Sequence, residues 1–558
     1  MAVNSIDTSE PSKIPAKAAH TNMMTDCIMA NLPPEVLRSV MRGTLGGNPN
    51  ITAHFQSLVS TYLTNSKPSS FPELFTSSDL KPLPALYDLQ SRYRCLMGCG
   101  RGFESLETLS EVVRQVRNLS WKNLDDSEDL VQSLATIDGD LVQAVTAVQK
   151  QLHTTTGARL LTDQEVNVIH ELENVLDDCE DQAKVELVEF PFERGKDSVA
   201  TLLGRPKREE LQSQVATKMP NGFISSRVQL ESMTLGNAEL PRMLMGLWQF
   251  SSPAWGTASR AKINLHFRKH VDAGFIAYDM ADHYGDAEVT FGQFRSNQAD
   301  CHKIYCATKW CVFEPTKVSK DLVDTKINER LTAINTSEVD LLQFHWQDYD
   351  DHQYVEVARM IHESPHVRNF GLCNFDTQRM NEIVDSGVNV VSNQVQFSLV
   401  DLRPTFRMAE SCRKRQVKLL TYGSLCGGFL AEKWLGKITP NLFDQQMTPS
   451  HRKYLEMITV WGGWPLFQQL LQVLFIVGQK YRVSVSSVAL RWVLDHDYVG
   501  AVIIGARMGI SEHVEENLKV FAFRLDDEDK CLIREVLERS KVNDVFEAMG
   551  DCGAEYRQ

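Results

Sequence analysis

The 558-residue chain is short of several things, and each shortage removes a class of protein. It has no run of about 18 apolar residues, so no membrane-spanning helix is expected. The first twenty residues, Met1 to His20, lack an apolar core of signal-peptide length, which argues against export. Basic residues are in the minority: 58 Lys and Arg against 72 Asp and Glu leave a net charge of −14. That balance implies no domain-wide basic face, so a dedicated nucleic-acid binder is not expected. A local anion site for a small phosphorylated cofactor remains compatible with it. Cysteines number 12, too thin a scatter for a disulfide-stapled secreted scaffold. Cys95 and Cys99 are not followed by a second Cys or His pair at zinc-finger spacing, so no metal is expected. The glycines around them, Gly98, Gly100 and Gly102, follow a helical pattern and lack the strand a dinucleotide loop needs. These shortages lead to an expectation of a cytoplasmic protein with reduced thiols, and with neither membrane nor nucleic acid among its partners.

What is present suits a folded chain of two or three domains: 43% hydrophobic and 23% charged residues. Residues 1–24, rich in Ser, Thr, Pro and Lys, read as a disordered tail. Residues 25–180 read as a mostly helical domain. It opens at Leu32-Pro33-Pro34-Glu35, with apolar Val36, Leu37, Val40 and Met41 at helical spacing, and continues with helices over 86–97, 106–116, 127–148 and 162–179. Residues 181–225 carry Glu193-Arg194-Gly195-Lys196-Asp197, Gly204-Arg205-Pro206-Lys207-Arg208 and Pro220-Asn221-Gly222, and read as a linker. From 226 to 545 short apolar strands alternate with amphipathic helices. Strands are expected at 243–247, 275–279, 304–308, 339–345, 367–372, 390–394, 419–422 and 499–505, with an extra helical segment at 450–481. Eight strands with helices between them predict an α/β fold, a (β/α)8 TIM barrel preceded by the helical domain.

Reactive groups of such a barrel sit at the C-terminal ends of the strands. The second strand runs into Asp279-Met280-Ala281-Asp282-His283-Tyr284-Gly285, the third into Thr308-Lys309-Trp310, and the fourth into Phe344-His345-Trp346. An Asp, a Tyr, a Lys and a His therefore converge from three consecutive strands. Hydride addition to a carbonyl builds negative charge on oxygen and calls for a proton donor. A free phenol, with a pKa of about 10, exchanges protons poorly near neutrality, and a neighbouring ammonium lowers that value. Lys309 would do this for Tyr284, Asp279 would hold Lys309, and His345 would donate a hydrogen bond that orients the carbonyl. Taken singly, each residue has an ordinary structural reading; the four together in this order do not.

These motifs resemble those of the aldo-keto reductases over about residues 240–522. Asp279-x-Ala281-x-x-Tyr284-Gly285, Thr308-Lys309 and Asp340-Leu341-Leu342-x-x-His345 are similar to the family's Asp/Tyr, Lys and His motifs. The resemblance implies a barrel that binds NADPH (NADP) across its mouth and reduces aldehydes or ketones. It implies catalytic roles for Asp279, Tyr284, Lys309 and His345, with Tyr284 as general acid. It also implies a cofactor site. Gly246 and Trp248 would line the nicotinamide side, and Cys373 stands where serine is commoner. Asn374 and Gln394 would hold the carboxamide through their amides, and Tyr422 would lie against the nicotinamide. Gly423 and Leu425, in a glycine-rich turn, would bring backbone N–H groups to the pyrophosphate. Gly505 and Arg507 would meet the adenosine end, the guanidinium suiting a 2′-phosphate. Ser511, Glu516 and Asn517 complete the set, although Ser511 also reads as a helix N-cap.

Trp248, Trp255, Trp310 and Trp346 lie near strand ends and suit an apolar carbonyl pocket. Trp461-Gly462-Gly463-Trp464 reads as helix packing before it reads as a lid. The expected activity is NADPH-dependent reduction of a small-molecule carbonyl. The alternative is an NADPH-binding, redox-sensing regulatory protein with slow turnover, an idea prompted by the helical domain. Those helices are free for self-association or for a protein partner.

Overall fold

The computed structural model describes residues 32–204 and 230–557, apart from short stretches at 48, 68–69, 77–79, 120, 122–127, 155–156, 252–254 and 442–446. The expected disordered tail at 1–24 lies outside the described residues, as does most of the second half of the expected linker.

Every strand expected from the apolar runs forms. After a hairpin of β1 (Ser232–Leu235) and β2 (Ala238–Pro241) come β3 (Met243–Gly246), β4 (Ala277–Asp279), β5 (Tyr305–Val312), β6 (Leu341–Trp346), β7 (Phe370–Cys373), β8 (Val390–Gln396), β9 (Lys418–Tyr422) and β10 (Val499–Gly505). Strands β3 to β10 pair in chain order, all parallel, and close when Val502–Gly505 of β10 pairs with Met243–Gly246 of β3. Parallel strands covered by helices are buried on both faces, which is why each reads as an apolar run. Strand β5 runs past its expected end, placing Lys309 within the ladder opposite Gln343. The unexpected hairpin plugs the far end of the barrel. Its Met233, Leu235 and Leu240 cluster with Leu244, Ala277 and Leu341. The Gly236-Asn237 turn between alternating apolar residues was its one signal.

The N-terminal helices run Pro34–Gly47, Pro49–Asn65, Pro84–Gly98, Gly102–Arg117, Glu128–Leu152, Asp163–Glu186 and Glu193–Leu202. A capping box of Thr162 and Glu165 starts the sixth. Leu106, Leu109, Val113, Ile137, Leu141, Leu172 and Leu176 form their core, which shares no residue with the barrel core.

The linker expectation is corrected over its described part. Its charged stretch is the helix Glu193–Leu202, and the charges are buried between the helical region and the barrel. Arg194 donates twice to Asp286, at 2.7 Å each, with both side chains almost wholly buried. Arg260 reaches Asp197, and Gln293 donates to the same carboxylate at 2.8 Å. A charged, glycine-bearing string resembles a solvated connector because the sequence does not show its partners, which lie 92 residues away in the case of Asp286.

The extra segment is two helices, Pro449–Trp461 and Gly463–Tyr481, meeting at 97°. Gly462 and Gly463 make the corner, and Trp461 and Trp464 are buried with Phe467, Leu470 and Val488. Among the described residues no single helix is long and apolar enough to cross a membrane. The expected domain end at 545 is also corrected: it falls inside the helix Val542–Met549, and residues 551–557 return to the barrel mouth.

Replacing Asp286 with Ala would strand a buried guanidinium. The expected cost is about 3–5 kcal/mol of stability, while the double variant Arg194→Met/Asp286→Leu recovers most of it. Urea unfolding midpoints of the three proteins check this.

Candidate active site

The closed barrel brings the ends of β4, β5 and β6 onto one rim, and the expected residues meet there. Lys309 donates from Nζ to Asp279 Oδ2 and to the Met280 carbonyl, both at 2.7 Å. The same ammonium stands 4.9 Å from the centre of the Tyr284 ring. Tyr284 follows β4 in a tight turn, where its N–H donates to Ala281 O at 3.1 Å. The next residue, Gly285, has φ of +59°, and a Cβ there would strike the Phe250 carbonyl and the Gln143 amide. The turn that carries Tyr284 is thus pressed against the N-terminal helical region.

Asp279 has a second pair of partners that sequence reading missed. Gln343 and Gln394 donate their amides to Asp279 Oδ1 at 2.8 and 2.7 Å. Gln343 lies on β6 opposite Lys309, and its place in the Asp340–His345 motif was the available signal. Gln394 was expected to face a carboxamide; its amide is turned into the barrel toward Asp279 and Gln343 instead.

Burial works against the charge of Lys309, but Asp279 overrides it and holds the ammonium above its ordinary pKa. Tyr284 departs from expectation. Burial raises its pKa, and Lys309 only partly opposes that rise, so the enclosed phenol keeps its proton.

His345 also differs. Its Nδ1 is 3.0 Å from the Cys373 carbonyl, which can only accept. Its Nε2 lies 3.1 Å from Gln347 Oε1, a second acceptor, so a neutral ring donates to only one of the two. Burial, reinforced by Arg557, pushes the imidazole down to about 4. With acceptors opposite both nitrogens, a neutral ring gives a proton to a substrate carbonyl only by releasing one of these contacts.

Asn374 and Tyr422 are together: Tyr422 Oη donates to Asn374 Oδ1 at 2.9 Å. Asn374 adopts the left-handed region, φ +59°, and its N–H donates to Gln394 O. Cys373 is buried beside them. Gly423 lies under Tyr454, whose hydroxyl donates to Gln396 Oε1 at 3.2 Å, and Leu425 packs between two cores. Gly246 and Gly505 pair across β3 and β10. Trp248 is half exposed, with its ring 5.2 Å from Trp255. Trp310 and Trp346 are core residues rather than pocket walls. Arg507 donates from Nε and Nη2 to the Trp255 carbonyl. Ser511 does not cap a helix, since the helix Val514–Lys519 is preceded by His513; its N–H donates to Arg507 O at 3.0 Å. Glu516 pairs with Lys519 and accepts from Ser487, and Asn517 is buried on that helix.

The cofactor expected for this rim fits the residues around Arg507. A narrow cavity between barrel and helical region is lined by Gln143, Arg194, Gln249, Thr257 and Arg507. Gln249 Oε1 and Thr257 Oγ1 are buried there without a hydrogen-bond partner. The Arg507 guanidinium and the Thr257 hydroxyl are donors of the kind a phosphate takes, whereas Gln249 Oε1 only accepts. For a metal, Asp282, His283 and Cys311 stand close enough to share an ion. Asp282 is already engaged, however, accepting from the Cys311 N–H, and Arg330 stands 3.7 Å away.

The sequence profile of the aldo/keto reductase family matches residues 242–538. The chain belongs to the aldo/keto reductase family. Membership places the barrel among oxidoreductases. The chain is similar to the aldo-keto reductase YhdN of Bacillus subtilis, 22% identical over 317 residues that cover 54% of this chain and 91% of the relative. It is 30% identical over 139 residues to flagellar radial spoke protein 5 of Chlamydomonas reinhardtii, covering 24% of this chain and 26% of the relative. Among solved structures, a glycerol dehydrogenase from Gluconobacter oxydans superimposes with a TM-score of 0.48 at 22% identity, over 56% of this chain and 96% of the other.

The His345 imidazole, near 4 when folded, lies below its ordinary value of about 6.5, so the unfolded chain takes up the extra proton between those pH values. Its contribution to stability is complete above pH 6.5 and falls as pH drops toward 4, by roughly 3 kcal/mol. His345→Gln is expected to flatten that slope in denaturant melts collected across the window.

Proposed function

We propose that the barrel reduces an aldehyde or ketone to the alcohol with NADPH, in the cytoplasm, with Tyr284 as proton donor. The observation that carries this reading is the buried ammonium of Lys309, held on one side by Asp279 and facing the Tyr284 ring on the other. NADPH, when bound, supplies the hydride that the carbonyl carbon accepts. Tyr284 Oη gives its proton to the carbonyl oxygen, and the alcohol leaves. The phenolate left behind is stabilised by Lys309 until solvent restores the proton. Asp279 keeps Lys309 charged, and Gln343 and Gln394 keep Asp279 aimed. His345 acts as a positioning residue by holding the Cys373 carbonyl, and so the neighbouring Asn374. The Asn374 amide and the Tyr422 ring would take the nicotinamide, the turn at 423–428 the pyrophosphate, and Arg507 with Thr257 the adenosine phosphate.

A second reading has an observation in its favour. Tyr556 and Arg557 close the mouth of the barrel, which suits an NADPH-binding regulatory protein with slow turnover. The partial likeness to a radial spoke protein supports a barrel used within an assembly.

NADPH consumption, followed by nicotinamide absorbance with a panel of aldehydes, separates the two. For a reductase, Tyr284→Phe is expected to lose about 100-fold or more in turnover while NADPH affinity stays within about twofold. Tight NADPH binding without turnover on any aldehyde favours the second reading.

A further inference from the structure

The C-terminal segment, residues 551–557, lies in the barrel mouth and holds the groups that a nicotinamide would need. Tyr556 Oη is 3.1 Å from Tyr422 Oη, and its ring packs edge-on against His345 with centroids 5.7 Å apart. Arg557 donates to the Asn374 carbonyl at 2.6 Å and to the Trp346 carbonyl at 2.7 and 3.1 Å, and stacks 3.8 Å above the Tyr349 ring. Gly553, at φ +83°, fits against the Asn374 carbonyl so tightly that a Cβ would collide with it. Lys309, His345 and Asp279 are each no more than 2% exposed beneath this cover.

We propose that this segment is an autoinhibitory plug, which must leave the mouth before a nicotinamide cofactor and its carbonyl substrate can enter. The proposal rests on the reductase reading above. Its chemistry is that of competition: Tyr422 and Asn374 cannot receive both Tyr556 and a nicotinamide carboxamide.

The attachments of the plug suit release. Its main anchor is Glu555, bound by Arg403 at 2.7 and 2.9 Å. Arg403 also donates to both oxygens of Asp401 at 2.9 and 2.8 Å, so it keeps a carboxylate partner after the plug departs. Arg557 is held by carbonyl oxygens and aromatic rings, and no carboxylate lies in ion-pair range among the described residues. A mostly buried guanidinium without a counter-ion is bound less firmly than its hydrogen bonds suggest. Leaving the mouth returns that charge to water. The plugged and open states then differ by exchange of polar contacts, and the observed affinity for cofactor scales with the open fraction.

The test compares the full chain with Gly553→Ala, which keeps every tail side chain but cannot seat, and with a chain ending at Gly550. NADPH binding is titrated calorimetrically, thermal melts verify folding, and aldehyde turnover is read alongside. Both variants are expected to bind NADPH at least tenfold more tightly than the full chain. The free peptide 551–558 is expected to compete with NADPH for the shortened chain, and NADPH is expected to speed hydrogen exchange in the tail of the full chain. Equal NADPH affinity in all three proteins, with tail exchange unchanged, overturns the plug and leaves the reductase reading standing. Failure of all three to bind either NADPH or NADH overturns the reductase reading, and the plug with it.

Discussion

A lysine and an aspartate, 2.7 Å apart and out of reach of water, set the terms for the barrel mouth. Moving two such charges out of water costs several kcal/mol each, which their attraction offsets only when the remaining polar valences are filled. Here they are filled: Met280 O takes a second Lys309 proton, and two glutamine amides occupy the other oxygen of Asp279. The strands that supply these groups, β4, β5, β6 and β8, come together only because the sheet closes. Closure of the barrel and charge at its rim are therefore one constraint.

The helical region meets that rim through charge as well. Arg194, Asp286, Arg260 and Asp197 form the joint, and Asp138 is drawn into it by accepting the Gly195 N–H at 2.8 Å. Burial pushes Asp138 up to about 7, against the pull of Arg194. The joint sits beside the Tyr284 turn, where Gln143 donates to the Phe250 carbonyl at 3.2 Å and fills the space above Gly285. The helical region thus bears directly on the turn that presents the phenol.

The barrel was legible because strands buried on both faces leave long apolar runs, and because Asp279, Tyr284, Lys309 and His345 sit just where those runs end. Their convergence could be inferred from topology alone. What a side chain does once buried could not. Gln394 faces Asp279 and not the mouth, His345 Nδ1 is set against the Cys373 carbonyl, and burial outweighs Lys309 at Tyr284; each outcome depends on a neighbour 25 to 115 residues away. The helix Glu193–Leu202 was illegible for a related reason, since its polar string reads as solvated until its partners are known. The closing segment was illegible because seven residues carry no periodicity.

A seam built from ion pairs has one consequence that an oily seam does not. When two apolar faces part, each exposes surface that seeks the nearest sticky neighbour, and aggregation follows. When the helical region and the barrel part, each half presents arginines and carboxylates that water solvates well, while its own apolar core stays shut. Parting the two halves would therefore expose charge rather than an apolar face, because each half keeps its own core.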